Sequence, residues 1–242
     1  MMGHLVVHES GHALMMRHYG YPFTPMVFIP FMGAVVGQTE PSRNATEEGN
    51  IALAGPLAGG ALSLALSAGG MATGSQFMLA AAEFGFMINL FNLIPALPLD
   101  GGRAASVLSP WAVAAGSAGM LGLVATGAIQ SSLGYMIALF SVYGTYQRFF
   151  GDYESFHEST TRREKFRIGA SYVSLVAVLL VGMAYNARRK KSPAQLRREL
   201  GQAPQSAMER QLLDFSAEHG EDQRSSLESD DPWLSSRRRT SA

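Results

Sequence analysis

The amino-acid sequence predicts an all-α polytopic membrane protein with about six transmembrane helices and a short membrane-dipping β-hairpin after the first. Two observations carry this prediction. No charged residue occurs between Gly49 and Ala82, and none occurs between Ala104 and Gln147. Because a hydrocarbon core about 30 Å thick takes about 20 helical residues to cross, both runs are long enough for spans. The alternative is a set of buried helices in a soluble protein.

Six apolar segments are predicted to form the helices. The first runs from Met1 to about Tyr19 and ends in the sequence GYPFTP, where glycine and prolines stop a helix. Glycine and alanine fill much of the later segments, which favours close helix packing. These segments are NIALAGPLAGGALSLALSAGGM, FMLAAAEFGFMINLFNLIPAL, WAVAAGSAGMLGLVATG, SSLGYMIALFSVYGTYQ and IGASYVSLVAVLLVGMAY.

The segment after the first helix, MVFIPFMGAVVGQ, is rich in β-forming residues but contains Pro30 and Gly33. It is too short to cross a bilayer as a helix, so we predict a hairpin that dips into the membrane. Non-helical backbone is tolerated at that depth only where protein or a water-filled cavity receives its polar groups. The hairpin is therefore expected to line a wet site.

The composition narrows the chemistry that the chain can perform. There is no cysteine, which excludes disulfides, thiolate zinc sites and a cysteine nucleophile. Any bound metal must be held by His, Asp or Glu. The last quarter of the chain is polar, with clusters of Arg and Ser, and we expect it to be disordered apart from short helical pieces. No nucleic-acid-binding module is recognisable.

The motif HESGH at His8 to His12 interrupts the first apolar helix. Residues four apart lie on one helix face, so His8 and His12 can direct ring nitrogens at one ion. Glu9 is placed to accept a proton from a metal-bound water. Surface histidines are the alternative in a soluble helix, but three ionisable groups in an apolar span need a compensating partner, which a metal provides.

A catalytic zinc site normally has three protein ligands, so a further His, Asp or Glu is expected. The apolar segments contain two acids, Glu83 and Asp100. Asp100 is the stronger candidate, because the prolines before it and the glycines after it allow a sharp turn. A turn at a membrane surface is the alternative reading of PLDGG. Glu83 is expected near the far interface, in the cavity, or paired with a basic group.

The remaining histidines are weaker candidates for metal ligands. His4 lies one turn before His8, and we favour an end-of-helix residue over a group that supports the ligands. His18 is expected at the membrane interface. His157 and His219 lie in charged segments that are poor places for ligands.

The sequence resembles the site-2 protease family of intramembrane zinc metalloproteases. The resemblance rests on HESGH, on NLIPALPLDGGR at Asn92 to Arg103, and on ALAGPLAGG at Ala52 to Gly60, in this order and spacing. It covers roughly residues 1–105 and leaves the tail from about Arg188 unmatched. Family members carry more apolar sequence before the motif, so we expect residues upstream of Met1.

Carried over by position, the resemblance implies that His8, His12 and Asp100 bind Zn²⁺ and that Glu9 is the base. It also implies that Asn92 holds substrate or stabilises the oxyanion, a role for which an amide donor is suited. An interhelical hydrogen bond is the alternative for Asn92, and Asn89, one turn earlier, is expected to have that structural role. The hairpin would offer an edge to an extended substrate segment.

Three parts of the chain follow from this reading. Residues 1–105 are the catalytic membrane core, 106–187 add transmembrane helices, and 188–242 are the polar tail. The expected function is hydrolysis of peptide bonds in transmembrane protein substrates, by a multi-pass protein in contact with membrane lipid in the cell (inner) membrane. The competing hypothesis is a scaffold, transporter or metal-binding protein that retains the fold without proteolysis.

Overall fold

The computed structural model describes residues 2–29, 33–150 and 160–191, and most of these are helical. Residues 1–190 form one compact unit, and the described part of it contains seven helices and two strands in chain order. They are α1 (Met2–Tyr19), β1 (Val27–Ile29), β2 (Gly33–Val35), α2 (Ala45–Thr73), α3 (Gln76–Asn92), α4 (Asp100–Leu108), α5 (Pro110–Ala125), α6 (Ser132–Phe150) and α7 (Arg162–Arg189). The predicted polar tail lies, from residue 192 on, outside the described residues.

The first helix is followed by two short strands. Gly20, with φ of 75°, ends α1. The strands β1 and β2 pair antiparallel, with Val27 opposite Val35. Their base is closed by Thr24, whose N–H donates to the carbonyl of Gly37 and whose hydroxyl accepts from the Gly37 N–H. Residues 30–32 lie outside the described residues, and insertion of this segment into a membrane remains a prediction.

The long helix α2 is the centre of the fold. Its first turn is capped by Asn44, whose side chain accepts from the N–H of Glu47, and its end is the left-handed Gly74. It packs against α1, α3, α4 and α7. A Cβ atom on Gly11 of α1 would lie 2.3 Å from the carbonyl oxygen of Ala54, so only glycine permits this approach. The predicted close packing through small residues is confirmed at this contact.

Two of the described helices, α2 and α7, are long and apolar enough to cross a membrane. The others do not reach that measure, so the expected number of about six spans is not met on length and hydropathy. Helices α3 and α5, with 17 and 16 residues, are only about 25 Å long. The polar residues of HESGH lower the hydropathy of α1, and the hydroxyl-bearing and basic residues of α6 do the same there.

The last three helices attach to the core in different ways. Helices α5 and α6 pack against each other as a helical hairpin. Their contact includes hydroxyl groups, with Ser117 Oγ 2.5 Å from Ser141 Oγ and 2.7 Å from Thr145 Oγ1. Helix α7 is joined to α2 and α3 by the buried Asn186, which accepts from the hydroxyl of Ser67 and donates to the carbonyl of Leu79.

Candidate metal centre

Three buried side chains from two helices converge on one point. His8 and His12 lie one turn apart on the buried face of α1, and Asp100 is the first residue of α4. The two Nε2 atoms are 3.2 Å apart, and Asp100 Oδ2 lies 3.1 Å from His8 Nε2 and 3.2 Å from His12 Nε2. The three atoms form a nearly equilateral triangle. The structure therefore brings together the residues that the sequence singled out as a potential metal-binding set.

The other ring nitrogens show how the imidazoles are protonated. His12 Nδ1 lies 2.8 Å from the carbonyl oxygen of Ile51, which can only accept, so this nitrogen carries the hydrogen. His8 Nδ1 lies 2.9 Å from Asn89 Oδ1, and the amide nitrogen of Asn89 donates to the carbonyl of Gly85. When each ring is neutral, its Nε2 lone pair points at the triangle.

In this neutral form, two lone pairs and a carboxylate oxygen face one another and repel, and a metal cation between them would remove that repulsion. Zinc bonded to nitrogen and oxygen at about 2.0 to 2.1 Å in tetrahedral geometry places neighbouring ligand atoms about 3.3 Å apart. The observed separations of 3.1 to 3.2 Å match that spacing. The donor set, two imidazoles and one carboxylate, is also one that catalytic zinc uses. The site therefore fits Zn²⁺.

The second oxygen of Asp100 faces a chain of ionic contacts. Arg103 Nη1 lies 3.6 Å from Asp100 Oδ1, and Arg103 Nε donates to Glu48 at 2.6 Å. Glu48 also accepts from the hydroxyl of Ser42. The guanidinium attracts Oδ1 as an ion pair, so this contact favours the Asp100 rotamer in which Oδ2 faces the histidines.

Glycines of α2 pack directly against the site. A Cβ atom on Gly55 would lie 2.2 Å from His12 Nε2, and one on Gly59 would lie 2.5 Å from Asn89 Oδ1. Any larger residue at Gly55 would displace the imidazole or the helix. The apolar motif ALAGPLAGG thus has a physical function at this point, because it makes room for the ligand ring.

The approach of Asp100 to the histidines differs in one respect from the expected turn. Helix α3 ends at Asn92, the chain reverses over residues 93–99, and Asp100 begins α4. Gly101 and Gly102 are helical and do not form the turn. Their Cβ atoms would lie 2.2 Å from the carbonyl oxygen of Leu93 and 2.4 Å from the carbonyl carbon of Ala96. The glycines therefore permit close packing of α4 on the reversal that precedes it.

The two residues expected to act on the substrate have different positions. Glu9 is half-buried next to the histidines, and its Oε2 atom accepts from the N–H of Val36 at 2.9 Å. Asn92 is half-buried near the end of α3, and its amide nitrogen donates to the carbonyl of Ile88 at 3.0 Å. Asn92 is thus not hydrogen-bonded to the three converging side chains.

The other sequence candidates lie elsewhere. His4 is buried and packs edge-on against Phe84, and His18 is exposed near the end of α1. Glu83 forms an ion pair with Lys190 at the end of α7, so pairing with a basic group is the reading that the structure shows. His157 and His219 lie outside the described residues.

The sequence reading missed the groups that orient the two imidazoles. Asn89 was expected to have a structural role, and it does link α3 to α1, but its partner is the ring of His8. Its only sequence signal is an asparagine three positions before Asn92 in an otherwise apolar segment. The Ile51 carbonyl, which holds His12, has no signal in the sequence, because every residue carries a carbonyl group.

Comparison with known proteins gives a distant relative. A stretch of 104 residues is 29% identical to a zinc metalloprotease of Methanocaldococcus jannaschii, and it covers 41% of this chain. The likeness is to a zinc metalloprotease. The match spans 30% of that relative's length. No family model matches the sequence.

Proposed function

We propose that this chain is an intramembrane zinc metalloendopeptidase of the site-2 protease type, which cuts membrane-spanning protein substrates. The observation that carries the proposal is the triangle of His8 Nε2, His12 Nε2 and Asp100 Oδ2, with Glu9 adjacent to the first ligand. The likeness to a zinc metalloprotease supports the same reaction class.

A multi-pass position in the cell (inner) membrane is part of the proposal. It is supported by α2 and α7, the two described helices that are long and apolar enough to span. The Ile51 carbonyl that holds His12 lies six residues after the start of α2 at Ala45, which is about 9 Å along the helix. If the polar start of α2 lies at a membrane surface, the metal centre would lie about 9 Å below that surface. About six spans would require the shorter helices to cross as well.

The chain's own residues would perform the proton transfers of hydrolysis. Bound zinc supplies Lewis acidity, which polarises the scissile carbonyl and makes water a nucleophile at neutral pH. Glu9 accepts a proton from the attacking water as its oxygen bonds to the carbonyl carbon. Glu9 then returns that proton to the leaving amine nitrogen as the C–N bond breaks, which regenerates the carboxylate.

Asn92 is proposed to donate a hydrogen bond to the substrate, as the family resemblance implies. Its amide has two hydrogens, and the bond to the Ile88 carbonyl uses one of them. The other is available to a substrate carbonyl oxygen. Loss of such a donor lowers kcat by about 10² to 10³ where it stabilises the developing negative charge.

The test is cleavage of a single-span reporter by the purified protein with zinc, measured alongside zinc content. Glu9→Gln is expected to retain zinc and to lose cleavage by about 10² to 10⁴. Ser10→Ala is the matched control, since the neighbouring hydroxyl bonds only to the helix carbonyl of Val6 in the described structure. Equal cleavage by wild type and Glu9→Gln would reject the mechanism. Stoichiometric zinc without cleavage of any reporter would favour the non-proteolytic scaffold.

A further inference from the structure

We propose that the main-chain N–H of Val36 is a positioning group for the Glu9 carboxylate, so that the segment after β2 orients the base. The proposal rests on the proposed function of Glu9. It starts from one contact, the 2.9 Å hydrogen bond from Val36 N to Glu9 Oε2, which joins residues 27 positions apart. This hydrogen bond connects the segment after β2 to the HESGH motif.

The donor side of this hydrogen bond is held rigidly. On one side of Val36, the last strand pair places Val35 opposite Val27. On the other side, Gly37 exchanges two hydrogen bonds with Thr24, at 2.8 and 2.9 Å. The peptide that carries the Val36 N–H is therefore fixed between two bonded neighbours. A fixed donor costs no reorganisation when it meets a charged acceptor.

The Glu9 side chain, which accepts this hydrogen bond, can adopt several rotamers without it. The backbone of Glu9 is fixed because it lies within α1, and the neighbouring His8 and His12 of that helix are buried. The glutamate side chain itself has three torsions and is only half-buried, so packing does not select one rotamer. One hydrogen bond to Oε2 selects the rotamer and leaves Oε1 to exchange a proton with water.

The direction of the Val36 N–H also shows which strand of the hairpin faces the site. Strand β2 packs against α1, and the residue that follows it turns its donor towards Glu9. In antiparallel pairs, alternate residues direct their N–H groups away from the partner strand. The edge of β2 that is not paired with β1 is therefore the edge next to the base. A shift of this edge would move the Glu9 carboxylate.

The first test measures the contact without using enzyme activity. Amide exchange of Val36 is followed by NMR of the protein labelled with ¹⁵N-valine, in the zinc-bound and zinc-free states. Glu9→Ala removes the acceptor and is expected to speed Val36 exchange by about tenfold. Ser10→Ala, which changes the adjacent residue, should leave it unchanged. Equal exchange in wild type and Glu9→Ala would overturn the proposal.

The second test measures the consequence for catalysis. Val36→Pro removes the N–H and is expected to lower kcat by about tenfold, with KM within about twofold and zinc content unchanged. Glu40→Pro places a proline in the same segment and should have no such effect. In a Glu9→Asp background, whose shorter side chain falls short of the donor, Val36→Pro should cause no further loss.

The outcomes separate this inference from the proposed function. A wild-type protein that binds zinc and cleaves no reporter rejects the proposed function, and the exchange experiment still decides the contact. A cleaving wild type with Val36→Pro equal to Glu40→Pro overturns the positioning role alone. A loss in Val36→Pro that persists in the Glu9→Asp background also overturns it, because the loss would then not act through Glu9.

Discussion

The region around the metal centre and the α5–α6 hairpin are built from similar sequence and have different architectures. Both are rich in glycine and alanine. Around the centre, glycines contact functional groups, as Gly55 does with the ring of His12. In the hairpin, Gly119 and Gly122 of α5 would place a Cβ atom with no described atom within 4 Å. Gly116 of α5 does pack closely, since its Cβ atom would lie 2.0 Å from the carbonyl oxygen of Pro95. The difference is therefore in what the glycines contact, which is a functional ring at the centre and backbone or open space in the hairpin.

The buried polar groups differ in the same way. In the centre, His8, His12 and Asp100 each have one atom directed at a shared point. The second ring nitrogen of each histidine is hydrogen-bonded to protein, and the second oxygen of Asp100 forms an ion pair with Arg103. In the hairpin, the hydroxyls of Ser117, Ser141 and Thr145 bond to one another or to a carbonyl. In the first cluster, three atoms face a shared point at which a cation could bind. In the second cluster, every hydroxyl has a hydrogen-bond partner within the protein. This difference indicates which polar cluster is functional.

The largest effect is expected from Asp100→Ala, which removes one of the three proposed zinc ligands. Zinc content should fall from about one per chain to below about 0.1, with loss of cleavage, because two imidazoles alone make an incomplete site. Elemental analysis of the purified protein measures this. Glu83→Ala is the control, since Glu83 pairs with Lys190 and not with the histidines. Equal zinc loss in both variants would refute the ligand assignment.

The next effect comes from adding one methyl group to α2. Gly55→Ala would place a Cβ atom 2.2 Å from His12 Nε2, which is too close for both atoms to keep their positions. Because the imidazole would have to move, zinc affinity should fall by at least about 100-fold. Gly119→Ala adds the same group to α5 in open space and should change neither zinc affinity nor folding. Competition with a chromophoric chelator measures both. If Gly55→Ala binds zinc as wild type does, Gly55 is not needed to make room for the His12 ring.

A smaller effect is expected where a group supports a ligand without binding metal. Asn89→Ala removes the acceptor for His8 Nδ1 and should weaken zinc binding by about 10- to 100-fold. Asn186→Ala removes a second buried asparagine, which bonds to Ser67 and Leu79. It should lower the free energy of unfolding by about 1 to 3 kcal/mol and leave zinc affinity unchanged. Identical behaviour of the two variants would contradict this distinction.

The smallest effect is expected in the α5–α6 hairpin. Ser117→Ala removes the central hydroxyl of the cluster and should lower the free energy of unfolding by about 0.6 kcal/mol, a typical value for a hydrogen bond between membrane helices. Zinc affinity and cleavage should remain at wild-type values. Denaturant titration in detergent, followed by circular dichroism, gives the first quantity. A fall in zinc affinity would show that the hairpin is coupled to the metal centre.

Much of the fold was predictable because it depends on local sequence signals. The apolar segments predicted six of the seven described helices, and Gly20 marked the end of α1. Helix α4 was not predicted, because Asp100 to Gly102 were expected to form a turn. The strands β1 and β2 lie in a segment that is rich in β-forming residues. The number of spans was less predictable, because a helix such as α1 carries ionisable residues within an apolar segment, which lower its hydropathy.

The candidate site was predictable to the extent that side-chain chemistry identifies it. His8 and His12 follow from helix periodicity, and Asp100 from the scarcity of acids in apolar segments. The groups that orient them were not predictable, because they depend on which helices meet. The Ile51 carbonyl and the Val36 N–H are backbone atoms that the sequence does not distinguish from any others. Only the packing of α1 against α2 and β2 selects them.

Zinc K-edge X-ray absorption of the purified, zinc-loaded chain tests the central claim most directly. The account predicts one zinc per chain with nitrogen and oxygen neighbours at about 2.0 to 2.2 Å and the outer-shell pattern of two imidazoles. That pattern should fall to one imidazole in His12→Ala. A spectrum without imidazole scattering, or one that His12→Ala leaves unchanged, would contradict the convergence of these side chains on a single ion.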